Sequence, residues 1–244
     1  MQTIPLSNLL ISAIPALLVI GIMVKWSLDA KNAVWAIVRM LSQLLFIGYF
    51  LAFIFTSDSA MLVLLVLSVM VCAASWIALG TVEKLRRHLF FYALLAILLG
   101  GGLNLLIVSQ GVLALSPWYL PQSIIPLAGM IFSAAMNAVS LAAERLVSEL
   151  KHDDDFVRAR NQAFQTSMIP MLNSLFAVGL VALPGMMTGQ ILSGISPLIA
   201  VRYQIMVMFM TFAAAGISSA LFLLLSQRSC LTNTDNKPEI GQIK

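Results

Sequence analysis

The chain has 244 residues; 60% are hydrophobic and only 10% charged, and the mean hydropathy is +0.97. A soluble domain carries roughly a quarter charged residues, so this chain lacks the polar surface to coat a water-soluble globule. The net charge of +4 comes from short basic clusters at the ends of apolar runs. That is a membrane-topology pattern, and no nucleic-acid partner is expected.

The predicted spans follow in chain order, each needing about 20 apolar residues. The first runs from about Leu9 to Val24, with Pro15 inside it. No basic region or small-residue cleavage site marks it as a removed signal peptide. Lys25, Asp29 and Lys31 follow. The second covers roughly Ala33 to Phe55 and carries Arg39 and Gln43 one turn apart. After the polar turn Thr56-Ser57-Asp58-Ser59, the third runs from about Ala60 to Gly80. It leads into Glu83-Lys84-Leu85-Arg86-Arg87-His88, the densest basic cluster. The fourth, about Leu89 to Val108, holds Gly100-Gly101-Gly102 and Asn104. The loop that follows ends in Pro117-Trp118-Tyr119, aromatics suited to the membrane interface. The fifth, about Pro121 to Ala143, contains Pro126 and Gly129. Glu144 to Arg160 is the one extended charged segment. The sixth runs from about Phe164 to Leu183 and the seventh from about Ile199 to Leu225.

Basic residues occupy every second connection, which predicts seven spans with the N-terminus outside and the C-terminus cytoplasmic. The expected fold is an all-α polytopic helix bundle. Residues 1–228 are read as one transmembrane domain and 229–244 as a disordered cytoplasmic tail. Arg202 is the dissenting charge. It sits just after the uncharged, glycine- and proline-rich break from Leu183-Pro184-Gly185 through Gly194 to Ser196-Pro197, reading either as an outer-side turn or as a re-entrant hairpin. Something must satisfy the backbone polar groups of such a break at membrane depth.

No Walker A motif, H-E-x-x-H or Gly-x-Ser-x-Gly elbow is present. The two cysteines, Cys72 and Cys230, are far apart in sequence, and neither a disulfide nor a metal-ligand cluster is expected. With none of these motifs, self-contained catalysis is not expected, no catalytic residue is assigned, and permeation or a scaffold role is the expectation.

Four stretches carry a resemblance. They are Arg39-x-x-x-Gln43 with Gly48-Tyr49; Ile125-Pro126-Leu127-Ala128-Gly129-Met130; Val178 through Gly189; and Ser196-Pro197 leading to Arg202-Tyr203-Gln204-Ile205-Met206-Val207. Together they resemble the permease subunit of the iron-export ABC transporters of bacteria, to which plant aluminium-tolerance half-transporter membrane subunits are similar. The resemblance covers most of the chain. It implies a separate ABC ATPase subunit that binds ATP, no cofactor in this chain, a homodimer embedded in lipid in the bacterial inner membrane, and export of iron or another metal. The copy departs from the family pattern in a short Ser148-to-Asn161 connection, in Ser133-Ala134, and in Asn173 and Phe176.

On the transport path or its gate, the resemblance and the residue chemistry nominate Arg39, Gln43, Pro126, Gly129, Met130, Asn173, Pro184, Gly185, Gly189, Tyr203 and Gln204. Arg39 reads either as a snorkelling cation or as a group of the bundle interior. Pro126 frees the Gln122 carbonyl, giving a hinge or a simple kink. Thioethers are soft ligands but also ordinary core filler. Most of the 14 methionines read as filler, with Met186 and Met187 as weak metal candidates because they lie in the break. Glu144, Arg145, Glu149, Arg158 and Arg160 are the candidates for ATPase coupling. The Asp153-Asp154-Asp155 run reads as solvated loop or helix N-cap. An ATP-independent carrier or channel and a non-transporting scaffold are the alternatives.

Overall fold

The computed structural model describes residues 5–55, 59–151 and 155–227. The tail from Arg228 onward, Asp58 of the polar turn, and His152, Asp153 and Asp154 lie outside the described residues. The chain divides into two compact units, 1–57 and 58–244.

The first unit is a helical pair, α1 (Leu6–Lys25) and α2 (Ala30–Phe55), packed on one another. Trp26 and Ser27 turn the chain between them. Asp29 then accepts the Asn32 backbone N–H at 3.1 Å and tethers the start of α2.

The second unit contains α3 (Ala60–Ala78), α4 (Arg86–Leu106), α5 (Pro121–Glu149), α6 (Phe156–Ala177), α7 (Gly185–Leu192) and α8 (Pro197–Leu225). Ala60–Val112 is one helical run of 53 residues, apolar on both sides of the basic cluster at its middle. As a straight helix it would run about 80 Å, against a hydrocarbon thickness of about 30 Å. It instead breaks at Val82 (φ −121°, ψ 52°) inside the 3₁₀ segment Leu79–Leu85, and α3 and α4 pack on each other as a hairpin. Prolines at the first position start α5 and α8, where the missing N–H costs nothing.

Helix α5 is central, packing against α3, α4, α6 and α8. Its buried face intersperses alanines, Ala128, Ala135, Ala138, Ala142 and Ala143, among larger residues such as Ile131, Phe132 and Leu146. Small side chains let neighbouring backbones approach closely, the usual solution where lipid removes the hydrophobic drive for helix association.

The fold is that of a polytopic helical membrane protein. The stretches long and apolar enough to cross a bilayer are Ala30–Phe55, Ala60–Val112, Pro121–Glu149 and Pro197–Leu225. Helix α6 differs from the expected sixth span. It begins eight residues earlier, at Phe156, and ends at Ala177 instead of Leu183. The physical reason is local. Asp155 caps it, accepting the Val157 and Arg158 backbone N–H groups at 2.9 and 3.3 Å, while Gly179 (φ 82°) turns the chain away at the other end. The helix thus takes in Arg158, Arg160, Asn161, Gln162 and Gln165, and it is too polar to rank with the apolar spans.

Both basic clusters lie at one end of the second unit. The Thr81 hydroxyl, in the α3–α4 joint, donates to the Ser140 carbonyl of α5 at 3.5 Å, and α5 continues past Ser140 to Arg145 and Glu149.

Candidate functional site

Helices α5, α6 and α8 enclose a groove of about 360 Å³. Each helix contributes residues at helical spacing, so each turns one face to it. Met130, Ser133, Ala134, Asn137 and Leu141 come from α5. Ser167, Pro170, Met171 and Ser174 come from α6, and Val207, Met208, Thr211 and Ala215 from α8.

The polar groups of the lining have a common state. Four hydroxyls donate their protons to backbone carbonyls one turn back: Ser133 to Met130 at 3.1 Å, Ser167 to Phe164 at 2.7 Å, Ser174 to Pro170 at 2.9 Å and Thr211 to Val207 at 2.8 Å. A hydroxyl that has donated its proton offers lone pairs only. The groove therefore presents neutral oxygen and sulfur acceptors with a single amide, Asn137, and no ionisable side chain.

Other charged and polar groups lie elsewhere. A second cleft of about 510 Å³, bordered by α3, α4 and α5, is lined mainly by apolar residues such as Leu64, Leu98 and Phe132. Among the described residues no group of three or more His, Cys, Asp or Glu side chains is positioned to hold a metal.

Of the path candidates, only Met130 lines the groove. Pro126 is exposed on α5, and a Cβ at Gly129 would meet Met70 of α3 at 3.7 Å. Asn173 is exposed on α6. Pro184 caps α7, which holds Gly185, Gly189 and the half-buried Met186 and Met187. Met186 packs against the main core. Gly179 and Gly194 (φ 82° and 90°) flank that helix in the left-handed conformation that favours glycine. Tyr203 is exposed, whereas Gln204 is buried with no donor for its Oε1. Arg39 and Gln43 belong to the first unit, both exposed along α2.

At the charged end, Arg145 pairs with Glu149 at 2.6 Å. With its amide oriented to satisfy both atoms, Gln162 of α6 also donates to the Glu149 carboxylate, at 2.9 Å to one oxygen. Glu149 thereby ties α5 to α6. Arg160 is half-buried and donates to Asn161 Oδ1 at 3.1 and 3.3 Å, while Glu144 and Arg158 are exposed. Nearby, Arg86 stacks on Trp76 at 4.0 Å from the ring centroid and donates to its carbonyl at 2.6 and 3.0 Å.

The profile of the Uncharacterised protein family (UPF0014) matches residues 6–160 and 156–231, nearly the whole chain. The chain belongs to this family. Among its relatives is a UPF0014 membrane protein, slr1647, of Synechocystis, 36% identical over 76% of this chain and 77% of its own. The Probable iron export permease protein FetB of Escherichia coli is 32% identical over 88% of this chain and 86% of its own. Protein ALUMINUM SENSITIVE 3 of Arabidopsis thaliana is 32% identical over 76% and 72%. No solved structure gives a significant match.

Within this UPF0014 member, Met171 and Met208 fall among the methionines that read from the sequence as filler, and Ser133 in a stretch that departs from the family pattern. Ser167, Ser174 and Thr211 had drawn no comment. The available signal was spacing: Met130-Ser133-Asn137, Ser167-Met171-Ser174 and Met208-Thr211-Ala215 recur at three or four residues. What the chain alone did not reveal is that these three stripes face one space.

Proposed function

We propose that this chain is the membrane-spanning subunit of an ABC-type metal exporter, working as a homodimer with two copies of a separate ATPase. The observation that carries the reading is the α5–α6–α8 groove, whose lining of neutral oxygen and sulfur acceptors, with one amide, suits a cation. Membership of a family that includes a protein named as an iron export permease supports the direction and the cargo class. The chain has no Walker A sequence, so ATP binds to the partner.

The charged end, with Lys84, Arg86, Arg87, Arg158 and Arg160, is the cytoplasmic side by the positive-inside rule. The ATPase docks there, on Glu144, Arg158 and the α3–α4 joint. Helix α6 is too polar to face lipid on every side. In the homodimer its exposed Asn173 and Ser174 face the second copy, and the groove becomes part of a shared route. Alternating access then consists of α5, α6 and α8 of each copy opening the groove to one side at a time. Affinity purification of the chain from its native membrane tests the assembly. An ATPase should co-elute in equal stoichiometry; a chain that elutes alone, in a detergent that preserves other ABC assemblies, speaks for an ATP-independent carrier.

A further inference from the structure

We propose that Met130, Met171 and Met208 form a thioether site in this groove for a soft, monovalent d¹⁰ cation of the Cu(I) or Ag(I) class. The inference rests on reading the groove as the cargo route, and it narrows the cargo.

The three methionines come one each from α5, α6 and α8 and line a single cavity. All three are only half-buried, so each remains open to that space. Met168 and Met210 contrast with them. They are 6% and 2% exposed, and Met168 packs its Sδ and Cε against Gly216, as core filler does. Met130 and Met171 also touch the apolar clusters on one side, but unlike Met168 and Met210 they stay half-buried, as does Met208, and all three line the groove.

The chemistry of the lining selects among ions. Thioether sulfur prefers soft cations such as Cu(I), whereas hard ions need carboxylates, carbonyls or water. No carboxylate lines the groove. The desolvation penalty of an ion grows with the square of its charge, and a divalent or trivalent ion needs carboxylates, thiolates or imidazoles to offset it, none of which lines the groove. A monovalent ion asks least of a neutral site. The hydroxyls add neutral oxygen lone pairs, because their protons are already donated to the helix backbones.

The test uses full-length protein in detergent with Cys72→Ser and Cys230→Ser, since thiols would otherwise capture the ion. Ag(I) is titrated by calorimetry into this parent and into the same protein with Met130→Leu, Met171→Leu and Met208→Leu, which nearly conserve volume. Fe(II) is titrated in parallel. The parent should bind Ag(I) saturably, each single variant should lose at least about tenfold in affinity, since loss of an outer-shell partner alone costs that much, and the triple variant should not bind Ag(I). X-ray absorption of the Cu(I)-loaded parent should show a sulfur shell. This measurement stands even if the triple variant fails to fold. Absence of saturable Ag(I) binding in the parent, unchanged binding in the triple variant, or a nitrogen- and oxygen-only shell overturns the site. ATP-driven flux in the triple variant separates the two readings: Ag(I) binding lost with flux unchanged leaves the site standing and removes the groove from the route.

Discussion

Gly100 of α4 lies directly against Ser218 of α8. A Cβ at Gly100 would stand 2.5 Å from the Ser218 hydroxyl and 2.9 Å from its backbone nitrogen. Rotation of the Ser218 side chain would clear the hydroxyl but not the backbone nitrogen and the Cα at 3.1 Å, so a rotamer change alone cannot relieve the contact. One turn along α4, the buried Asn104 side chain donates to the Met210 carbonyl of α8, pinning the same pair of helices.

Gly100→Ala should therefore destabilise the second unit by about 1–3 kcal/mol through overpacking. This outweighs the ~1 kcal/mol that alanine gains in helix propensity. Gly102→Ala is the control, because its Cβ would meet only Leu98 Cδ1 at 4.0 Å, and it should be neutral or mildly stabilising. Thermal unfolding of the two variants in one detergent checks the contrast.

Glu149 has a structural duty that Glu144 lacks. It holds Arg145 and receives Gln162 across the α5–α6 hairpin, whereas Glu144 is exposed. Glu149→Ala should lower stability by about 1 kcal/mol, at the upper end for a partly exposed pair because a second partner is lost. Glu144→Ala should leave stability unchanged and, with the ATPase docked at this end, reduce transport-stimulated ATP hydrolysis. Unfolding curves beside ATPase assays of the reconstituted complex separate the two residues.

Gln204 is 5% exposed and its Oε1 has no donor. Burying an acceptor without a partner costs about 1–3 kcal/mol. Gln204→Leu should therefore hold or raise the unfolding temperature. If the amide serves transport, the same variant should lose flux while remaining folded. Stability and flux measured on one preparation read out both effects.

The apolar runs made the helical membrane fold legible, because bilayer thickness fixes how long an apolar helix must be. Helix α6 was the exception. Its start is set by the Asp155 cap and its polarity by Arg158 through Gln165, signals that hydropathy averages away. In the Gly100-Gly101-Gly102 run, Gly100 and Gly101 lie against Ser218 and Phe132, the close packing that glycines in a span permit. The groove was less legible. Met130 was found through its family segment, but Met171, Ser174, Met208 and Thr211 become a site only once three helices turn their stripes toward one space. Arg39 and the Pro184–Gly189 break attracted attention because charges and glycines are rare at membrane depth, yet neither lines the groove.

The most direct measurement is metal flux in proteoliposomes holding this chain alone, with its ATPase, or with an ATPase that cannot hydrolyse ATP. Fe(II) and Ag(I) are each supplied on the ATPase-bearing face. ATP-dependent movement of metal to the opposite face only when both active subunits are present is the expected result. Flux that runs down its gradient without the ATPase, or an active complex that hydrolyses ATP but moves neither metal, would contradict it.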